Sequence, residues 1–180
     1  MTLHADHLSK RLQAQGTSSV NMEPVVQAYD MFVKNHVTDA LNLCCTEDVE
    51  WTMIGKEADI PWAGTFKGRR AVEEHMFKQR ARFIRMLDIE TGPFIKSKDG
   101  KHVTVTGTYT YTPVAALNQA GGPVPEYTFE WAHIITLAND GRIAKLVAYP
   151  DTWMIVQTLK DAKAAVAASR YGTRLSFDAR

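Results

Sequence analysis

The feature that most constrains this chain is an alternating segment at residues 127–151, which predicts two long strands joined by a tight turn. Successive side chains of a strand point to opposite faces, so one face of the first strand is apolar and holds a single histidine, His133. Residues 139–141, Asn-Asp-Gly, are typical of a hairpin turn. The return strand places on one parity Ile143, Val147, Tyr149 and Asp151. If both apolar faces look into the same space, His133 and Asp151 share an apolar wall and form a candidate site.

Upstream of this hairpin, helical and extended patterns follow one another. Apolar residues at helical spacing predict helices over residues 25–36, 38–44 and 69–87. Two-residue alternation predicts strands at 48–54, 88–96 and 101–112, the second of them broken by Gly92 and Pro93. Residues 55–68 and 113–125 are expected to be loops, and residues 152–169 a final helix.

Three details of these segments bear on the site. Trp62, in the loop at 55–68, either plugs the end of the core or lies at the mouth of a pocket. The basic residues of the helix at 69–87, Arg80 among them, are expected to form a solvated face. The adjacent Cys44 and Cys45 are interpreted as small, buried or half-buried thiols in a helix.

The order of elements predicts an α+β fold. Four successive strands with hairpin-like connections form an antiparallel sheet, and the helices concentrated before them would pack on one face. Strands with one apolar and one threonine-rich face fit a curved sheet that is concave toward the helices. No glycine-rich phosphate loop follows a strand, which disfavours a nucleotide-binding fold.

Composition and length favour one main domain. Residues 1–20 are expected to be a helical appendage, residues 21–170 the domain, and residues 171–180 a polar tail. The net charge of +1 gives no electrostatic reason to expect a nucleic-acid partner. No segment is apolar over a length that would span a membrane or direct secretion, so we expect a cytoplasmic protein. His4 and His7 lack a nearby third ligand, and no metal site is expected.

Three segments together resemble the nuclear transport factor 2-like (NTF2-like) superfamily, and within it the SnoaL-like polyketide cyclase and ketosteroid isomerase group. They are AYDMFVKNHVTDALNLCCTEDVEW, IPWAGTFKGRRAVEEHM and HIITLANDGRIAKLVAYPDTW. The resemblance covers about residues 21–160. It implies a cone-shaped α+β domain of the cystatin-like type, with a deep apolar pocket and often a homodimer formed through the convex sheet face.

The resemblance also suggests roles for individual residues. His133 is similar in position to a protonated aspartic acid in the oxyanion hole of the ketosteroid isomerases, and Tyr29 to their oxyanion-hole tyrosine. Asp151 resembles the acid/base aspartate of the SnoaL-like cyclases, which also use a histidine on the preceding strand. The general base of the isomerases would fall near Met53, which cannot accept a proton. The Asp-Arg-Asp arrangement of the limonene epoxide hydrolases, similar in fold, is absent from the strand at 101–112.

These observations favour a cofactor-independent enzyme that isomerises, cyclises or dehydrates a hydrophobic carbonyl or polyketide-like molecule. The candidate catalytic residues are Asp151 as base, with His133 or Tyr29 as donor to an enolate oxygen; His133 is alternatively the base. The residues expected to line the substrate pocket are Trp51, Met53, Trp62, Tyr109, Trp131 and Phe129.

Each catalytic candidate also has a structural interpretation. Asp151 could simply cap the following helix, while His133 and Tyr29 could be satisfied core residues. The second functional class is a non-catalytic binding module or dimeric assembly subunit of the same fold. The enzyme interpretation expects Asp151 and His133 to face one cavity, whereas the binding interpretation expects aromatic side chains to fill it.

Overall fold

The computed structural model describes residues 21–117 and 124–175. These residues form a curved six-stranded sheet packed against helices. Helices α1 (Glu23–Val33) and α2 (Val37–Cys44) precede strands β1 (Cys45–Met53) and β2 (Gly64–Lys67). Helix α3 consists of an α-helical turn at Arg69–Ala71, a π-helical stretch at Val72–Lys78 and a second α-helical turn at Gln79–Ala81. The remaining elements are β3 (Ile84–Lys96), β4 (His102–Pro113), α4 (Val114–Leu117), β5 (Tyr127–Leu137), β6 (Ile143–Pro150) and α5 (Thr152–Leu175).

The strands lie in the order β2-β1-β6-β5-β4-β3, and the sheet does not close into a barrel. All neighbouring pairs are antiparallel except β1 and β6, which run parallel. A parallel pair requires a long crossover, and the whole of α3 to β5 lies between these two strands. The predicted α+β class with a curved, mainly antiparallel sheet is therefore confirmed, and the parallel pair is the exception to it.

The alternation in β4 and β5 sets the two faces of the sheet as the sequence predicts. From the second inward position onward, the residues of β5 that face inward are all buried, namely Phe129, Trp131, His133, Ile135 and Leu137. Val103, Val105 and Tyr111 of β4 share this face. On the opposite face, the hydroxyls of Thr110 and Thr128 lie 3.0 Å apart across the two strands. The concave face therefore supplies the wall of the core, and the convex face is polar along this pair.

The predicted helix at 69–87 is too long. Helical structure ends at Ala81, and Ile84 already pairs with Pro113 at the end of β4. The turn is closed by the Phe83 amide donating to the Arg80 carbonyl. Because β4 is long enough to offer pairing partners to residues 84–86, strand pairing replaces helical structure there.

Two predicted irregular segments contain sheet structure. The loop at 55–68 includes β2, whose Gly64 and Lys67 pair with Met53 and Glu50 of β1. Gly92 and Pro93 do not break β3, because a register shift between Thr91 and Phe94 accommodates them. A short helix, α4, also forms within the predicted loop at 113–125.

The return strand β6 departs from the predicted parity. Thr136 pairs with Lys145 but Leu137 pairs with Ile143, so one extra residue is inserted in β6. This bulge shifts the alternation, and the buried residues after it are Leu146 and Ala148 instead of Val147 and Tyr149. Tyr149 is 45% exposed. The prediction that Val147, Tyr149 and Asp151 continue the inward face of Ile143 is therefore wrong.

Asp151 lies at the junction of β6 and α5. Its side-chain oxygen accepts a hydrogen bond of 3.0 Å from the Met154 amide, and its carbonyl accepts one of 3.3 Å from the Ile155 amide. These contacts make Asp151 the N-cap of α5.

Helix α5 continues to Leu175, beyond the predicted end at residue 169 and into the predicted tail. The predicted appendage at 1–20 lies outside the described residues, and no described helix is long and apolar enough to cross a membrane.

The fit of Trp131 against β4 requires a glycine at position 107. A Cβ at this position would overlap the Glu90 carbonyl oxygen and lie 2.5 Å from Cζ2 of the Trp131 indole. We expect Gly107→Ala to lower the free energy of unfolding by about 3 kcal/mol, because backbone and a buried ring cannot both move away. Urea denaturation measures this change. Thr106→Ala, an exposed change on the same strand, is the control, and equal stability of both variants would contradict the prediction.

The N-cap role of Asp151 gives a second prediction. Replacing Asp151 with Ala removes the acceptor for the Met154 amide, and we expect it to lower the free energy of unfolding by about 1 kcal/mol. Asp151→Asn keeps an acceptor oxygen and should retain most of the stability. The two variants are compared by thermal and urea unfolding. An equal loss in both would show that the negative charge, and not the capping hydrogen bond, stabilises this junction.

Candidate functional site

A cavity opens between the concave face of the sheet and the helices. Together with the open space at its mouth it comprises about 740 Å³. Its walls are mostly apolar and aromatic. The lining residues that the following argument uses are Tyr29, Trp51, Trp62, Arg80, Tyr109 and His133.

A buried hydrogen bond joins helix α1 to strand β5 at this cavity. The Tyr29 hydroxyl and Nδ1 of His133 lie 2.5 Å apart. Tyr29 is inward because Val25, Ala28 and Tyr29 form the buried stripe of α1. His133 is inward because it shares the parity of Trp131 and Ile135. Two independent periodicities, one helical and one of a strand, therefore bring these two polar groups together.

Stacked rings fix the position of this pair. Trp131 lies between Tyr29 and Tyr109, with ring centroids 5.8 Å and 5.0 Å away and nearly parallel planes. The centroid of the His133 imidazole is 4.3 Å from that of Trp131. Aromatic pairs at such distances contribute about 0.5–1.5 kcal/mol each beyond their burial, so the polar pair sits on a rigid platform.

Burial keeps both members of the pair neutral. Desolvation, with a smaller effect of the nearby Arg80 charge, lowers the pKa of His133 to about 3. Desolvation also raises the pKa of Tyr29 well above its ordinary value. A neutral imidazole has one N–H donor and one acceptor nitrogen. If Tyr29 donates to Nδ1, its own proton is satisfied and the Nε2–H group of His133 is left for a ligand.

Arg80 is the charged group of the cavity. Its guanidinium carbon lies 5.2 Å from the centroid of the Phe77 ring, a cation–π arrangement. Desolvation lowers its pKa, and its charge acts on both His133 and Tyr109. No acidic side chain among the described residues forms an ion pair with it.

Sequence reasoning placed Arg80 on the solvated face of its helix, and this expectation is wrong. Arg80 follows Met76 by four residues, as Met76 follows Val72, so all three fall on one helical face. The spacing therefore contained the information, but the residue type suggested solvent. The π-helical stretch Val72–Lys78 lies within this run and sets the direction from which Phe77 and Arg80 enter the cavity.

The remaining polar groups at the cavity are donors. Burial raises the pKa of Tyr109 to about 12, so its phenol is protonated, and it has no hydrogen bond to another described residue. The indole N–H groups of Trp51 and Trp62 are buried without a partner in the described part of the chain. No carboxylate belongs to the described lining, and the described residues contain no cluster of three potential metal ligands.

Most predicted site residues line this cavity. His133 and Tyr29 do so, as do five of the six predicted pocket residues, namely Trp51, Met53, Trp62, Tyr109 and Phe129. The sixth, Trp131, lies behind the lining as the platform for His133. Trp62 is 1% exposed, so it is part of the buried wall.

Asp151 is the predicted catalytic residue that the described lining does not include. Its side chain is exposed and caps α5. The cause is the bulge in β6, which turns the parity that Asp151 shares with the exposed Tyr149 away from the cavity. The expectation that Asp151 and His133 face one cavity is therefore not met. The charged residue that lines the cavity together with His133 is Arg80.

Solved structures of other proteins share this fold. A search of curated protein sequences finds no match. Among solved structures, an NTF2-like protein of unknown function from Burkholderia pseudomallei is 23% identical, with a TM-score of 0.66, and the match covers 79% of this chain and 98% of that one. TerC, crystallised with polyporic acid, is 20% identical, with a TM-score of 0.62 and coverage of 77% and 96%. A proposed polyketide cyclase of Pseudomonas putida is 18% identical, with a TM-score of 0.57 and coverage of 78% and 98%.

The family model of the SnoaL-like domain matches residues 25–146, which is well over half of the chain. The matched region contains Tyr29, Arg80, Tyr109 and His133. The chain therefore belongs to the SnoaL-like domain family, within the NTF2-like superfamily.

Proposed function

We propose that this protein is a cofactor-independent acid/base enzyme that isomerises, cyclises or dehydrates a hydrophobic carbonyl compound. The observation that carries the proposal is the buried Tyr29–His133 hydrogen bond at the wall of an apolar cavity, next to the Arg80 charge. The structural neighbours include a proposed polyketide cyclase and a protein crystallised with an organic acid, which supports a small organic molecule as the substrate.

His133 is the proton carrier in this proposal. Among the described lining residues it is the one side chain whose neutral form has a basic nitrogen. Its Nδ1 can bind the Tyr29 hydroxyl as acceptor or as donor, because a hydroxyl does both. The tautomer with hydrogen on Nδ1 leaves a lone pair on Nε2, which accepts a proton from the carbon next to the substrate carbonyl. Tyr29 is then a positioning residue that holds the ring in either state.

Arg80 and Tyr109 stabilise the oxygen on which negative charge develops. A guanidinium and a protonated phenol in an apolar cavity interact with an enolate far more strongly than water does. The enolate in turn offsets the Arg80 charge that lowers the His133 pKa, so the imidazole becomes a stronger base as the reaction proceeds. The imidazolium returns its proton to another carbon in an isomerisation, to the new alkoxide in a cyclisation, or to a leaving hydroxyl in a dehydration.

A non-catalytic binding module is the second candidate. It is favoured by the lack of a carboxylate among the described lining residues and by Met53 at the position where isomerases hold their base. In this case the same donors would bind a ligand oxygen without proton transfer, and His133 would keep its proton on Nε2. The two candidates differ in one measurable property, which is whether the cavity exchanges a carbon-bound proton.

Proton exchange into 2-tetralone, an apolar bicyclic ketone, tests the enzyme proposal without knowledge of the natural substrate. We expect the protein to accelerate deuterium incorporation next to the carbonyl, as followed by NMR in heavy water. His133→Asn keeps an acceptor for Tyr29 near the Nδ1 position but removes the basic nitrogen, and it should slow exchange by about 100-fold or more.

Asp151→Asn distinguishes the two residues that the sequence suggested as bases. It keeps the helix cap, and we expect it to retain the exchange rate because its side chain is outside the cavity. A large loss in Asp151→Asn together with an unaffected His133→Asn would overturn the role of His133. An unaccelerated rate in the unmodified protein would support the binding module instead.

The neutral state of His133 has a consequence for stability. Its pKa is about 3 in the native state and about 6.5 in an unfolded chain, so between these values the unfolded state binds an extra proton. The native state is therefore destabilised as the pH falls below about 6.5. From pH 6.5 to 5 we expect His133 to account for a loss of about 2 kcal/mol in the free energy of unfolding.

This loss is measured by urea denaturation at several pH values. His133→Asn should have a flatter profile over this interval than the unmodified protein. His75→Gln, a change at an exposed histidine, should keep the original profile. Parallel profiles for the unmodified protein and His133→Asn would show that His133 titrates normally in the native state.

A further inference from the structure

We propose that the ligand of this cavity is a flat, apolar molecule bearing a planar oxyanion, and that Arg80 is the group that binds the oxyanion. The shared chemistry is that of a carboxylate, a phenolate or a stabilised enolate. The inference rests on the proposed function in that it concerns the same cavity, but it needs binding only and no turnover.

The first argument is the missing counter-charge. Among the described residues no acidic side chain pairs with Arg80, although helix α3 contains Glu73 and Glu74. Both glutamates bind Lys78 on the solvent side, with nitrogen–oxygen distances of 3.3 and 2.7 Å. A half-buried cation without a counter-charge is destabilising. The chain thus pairs its exposed lysine and leaves the cavity cation open to a ligand.

The second argument is the uniform polarity of the other groups. No carboxylate belongs to the described lining. The Tyr109 phenol is protonated and bonds to no other described residue. With the Arg80 guanidinium, which carries only donors, the polar groups of the lining favour a ligand that supplies acceptors. A ligand that satisfies them must be rich in acceptors, and an oxyanion accepts more hydrogen bonds than a neutral carbonyl does.

The third argument is the shape of the surroundings. The Phe77 ring lies under the Arg80 guanidinium and makes an edge contact with Trp51, with centroids 5.4 Å apart. The cation–π contact holds the guanidinium in place, where it can form two parallel hydrogen bonds with a planar oxyanion. Tyr109 stacks on Trp131 deeper in the wall. Aromatic surfaces around one fixed planar cation fit a flat ligand with its charge at one end.

Matched ligands of one shape test this inference. The probes are 2-naphthoate as the anion, 2-acetylnaphthalene as the neutral ketone and 2-naphthylmethylammonium as the cation, with affinities measured by calorimetry. We expect the unmodified protein to prefer the anion over the neutral ketone by at least about tenfold, because hydrogen bonds to charged groups are the stronger ones. The cation should bind most weakly.

Arg80→Met removes the charge but keeps an unbranched apolar stem. We expect it to abolish the preference for 2-naphthoate while changing the affinity for 2-acetylnaphthalene by less than about threefold. Arg80→Lys should keep part of the preference, because a lysine retains the charge without the planar fork. Arg82→Met, at an exposed arginine two residues away, should keep the full preference.

Stability gives an independent readout of the same role. Removing an unpaired, half-buried cation should raise the melting temperature of the ligand-free protein, by about 2 °C for Arg80→Met. A lower melting temperature in Arg80→Met, or equal affinity of the unmodified protein for the anion and the ketone, would overturn the proposal and make Arg80 a packing residue.

The exchange assay separates this inference from the proposed enzyme. Selective binding of 2-naphthoate together with an absence of proton exchange would leave Arg80 as the anion-binding residue of a binding module. Proton exchange without any preference for the anion would keep the enzyme and overturn the role of Arg80.

Discussion

The hydrogen bond between Tyr29 and His133 is the interaction on which the rest of the site depends. It crosses from the first described helix to the middle of the sheet and is buried at both ends. Breaking it would leave two polar groups unsatisfied in an apolar wall, which costs about 1–3 kcal/mol for each group. The helix is therefore fixed relative to the sheet by a contact that also holds the imidazole ring in place in either tautomer. Structural and chemical requirements coincide at this one contact.

The electrostatics of the cavity follow from what surrounds this pair. A low-polarity wall keeps the imidazole and the phenols neutral, and it also makes the single guanidinium the dominant charge. The field inside the cavity is thus positive although the whole chain has a net charge of only +1. Net charge influences the association of a protein with large charged partners. The preference for a small ligand is determined by the few charged and polar groups that water does not screen.

Much of the fold could be predicted from the sequence because its strands alternate clearly. The alternation in β4 and β5 correctly gave the inward faces, and with them the positions of Tyr109 and His133. The prediction failed where tertiary pairing overrode local pattern. The bulge in β6 inserts one residue and reverses the parity that pointed to Asp151, and nothing in the local sequence distinguishes the two registers. The end of α3 was misplaced because the pairing capacity of β4 is not a local property.

The failure at Arg80 has a different origin. Its helical spacing pointed inward, but a charged residue type is usually solvated, and the general expectation overruled the particular pattern. A charge on an otherwise apolar helical face is evidence for a site when no acidic residue lies within reach along the same face. The inward position of Arg80 could therefore have been predicted from the sequence if helical periodicity had been given more weight than residue type.

The π-helical stretch in α3 has a consequence for how relatives of this protein can differ. An α-helix rotates by about 100° for each residue, so the wider turn at Val72–Lys78 determines whether the following residues face the cavity or the solvent. Loss of one residue in this turn would redirect the guanidinium outward while every side chain stayed chemically the same. The charge inside the cavity is thus encoded in the length of a helical turn as much as in the identity of an amino acid, and a change in length could alter ligand preference without any substitution at the site.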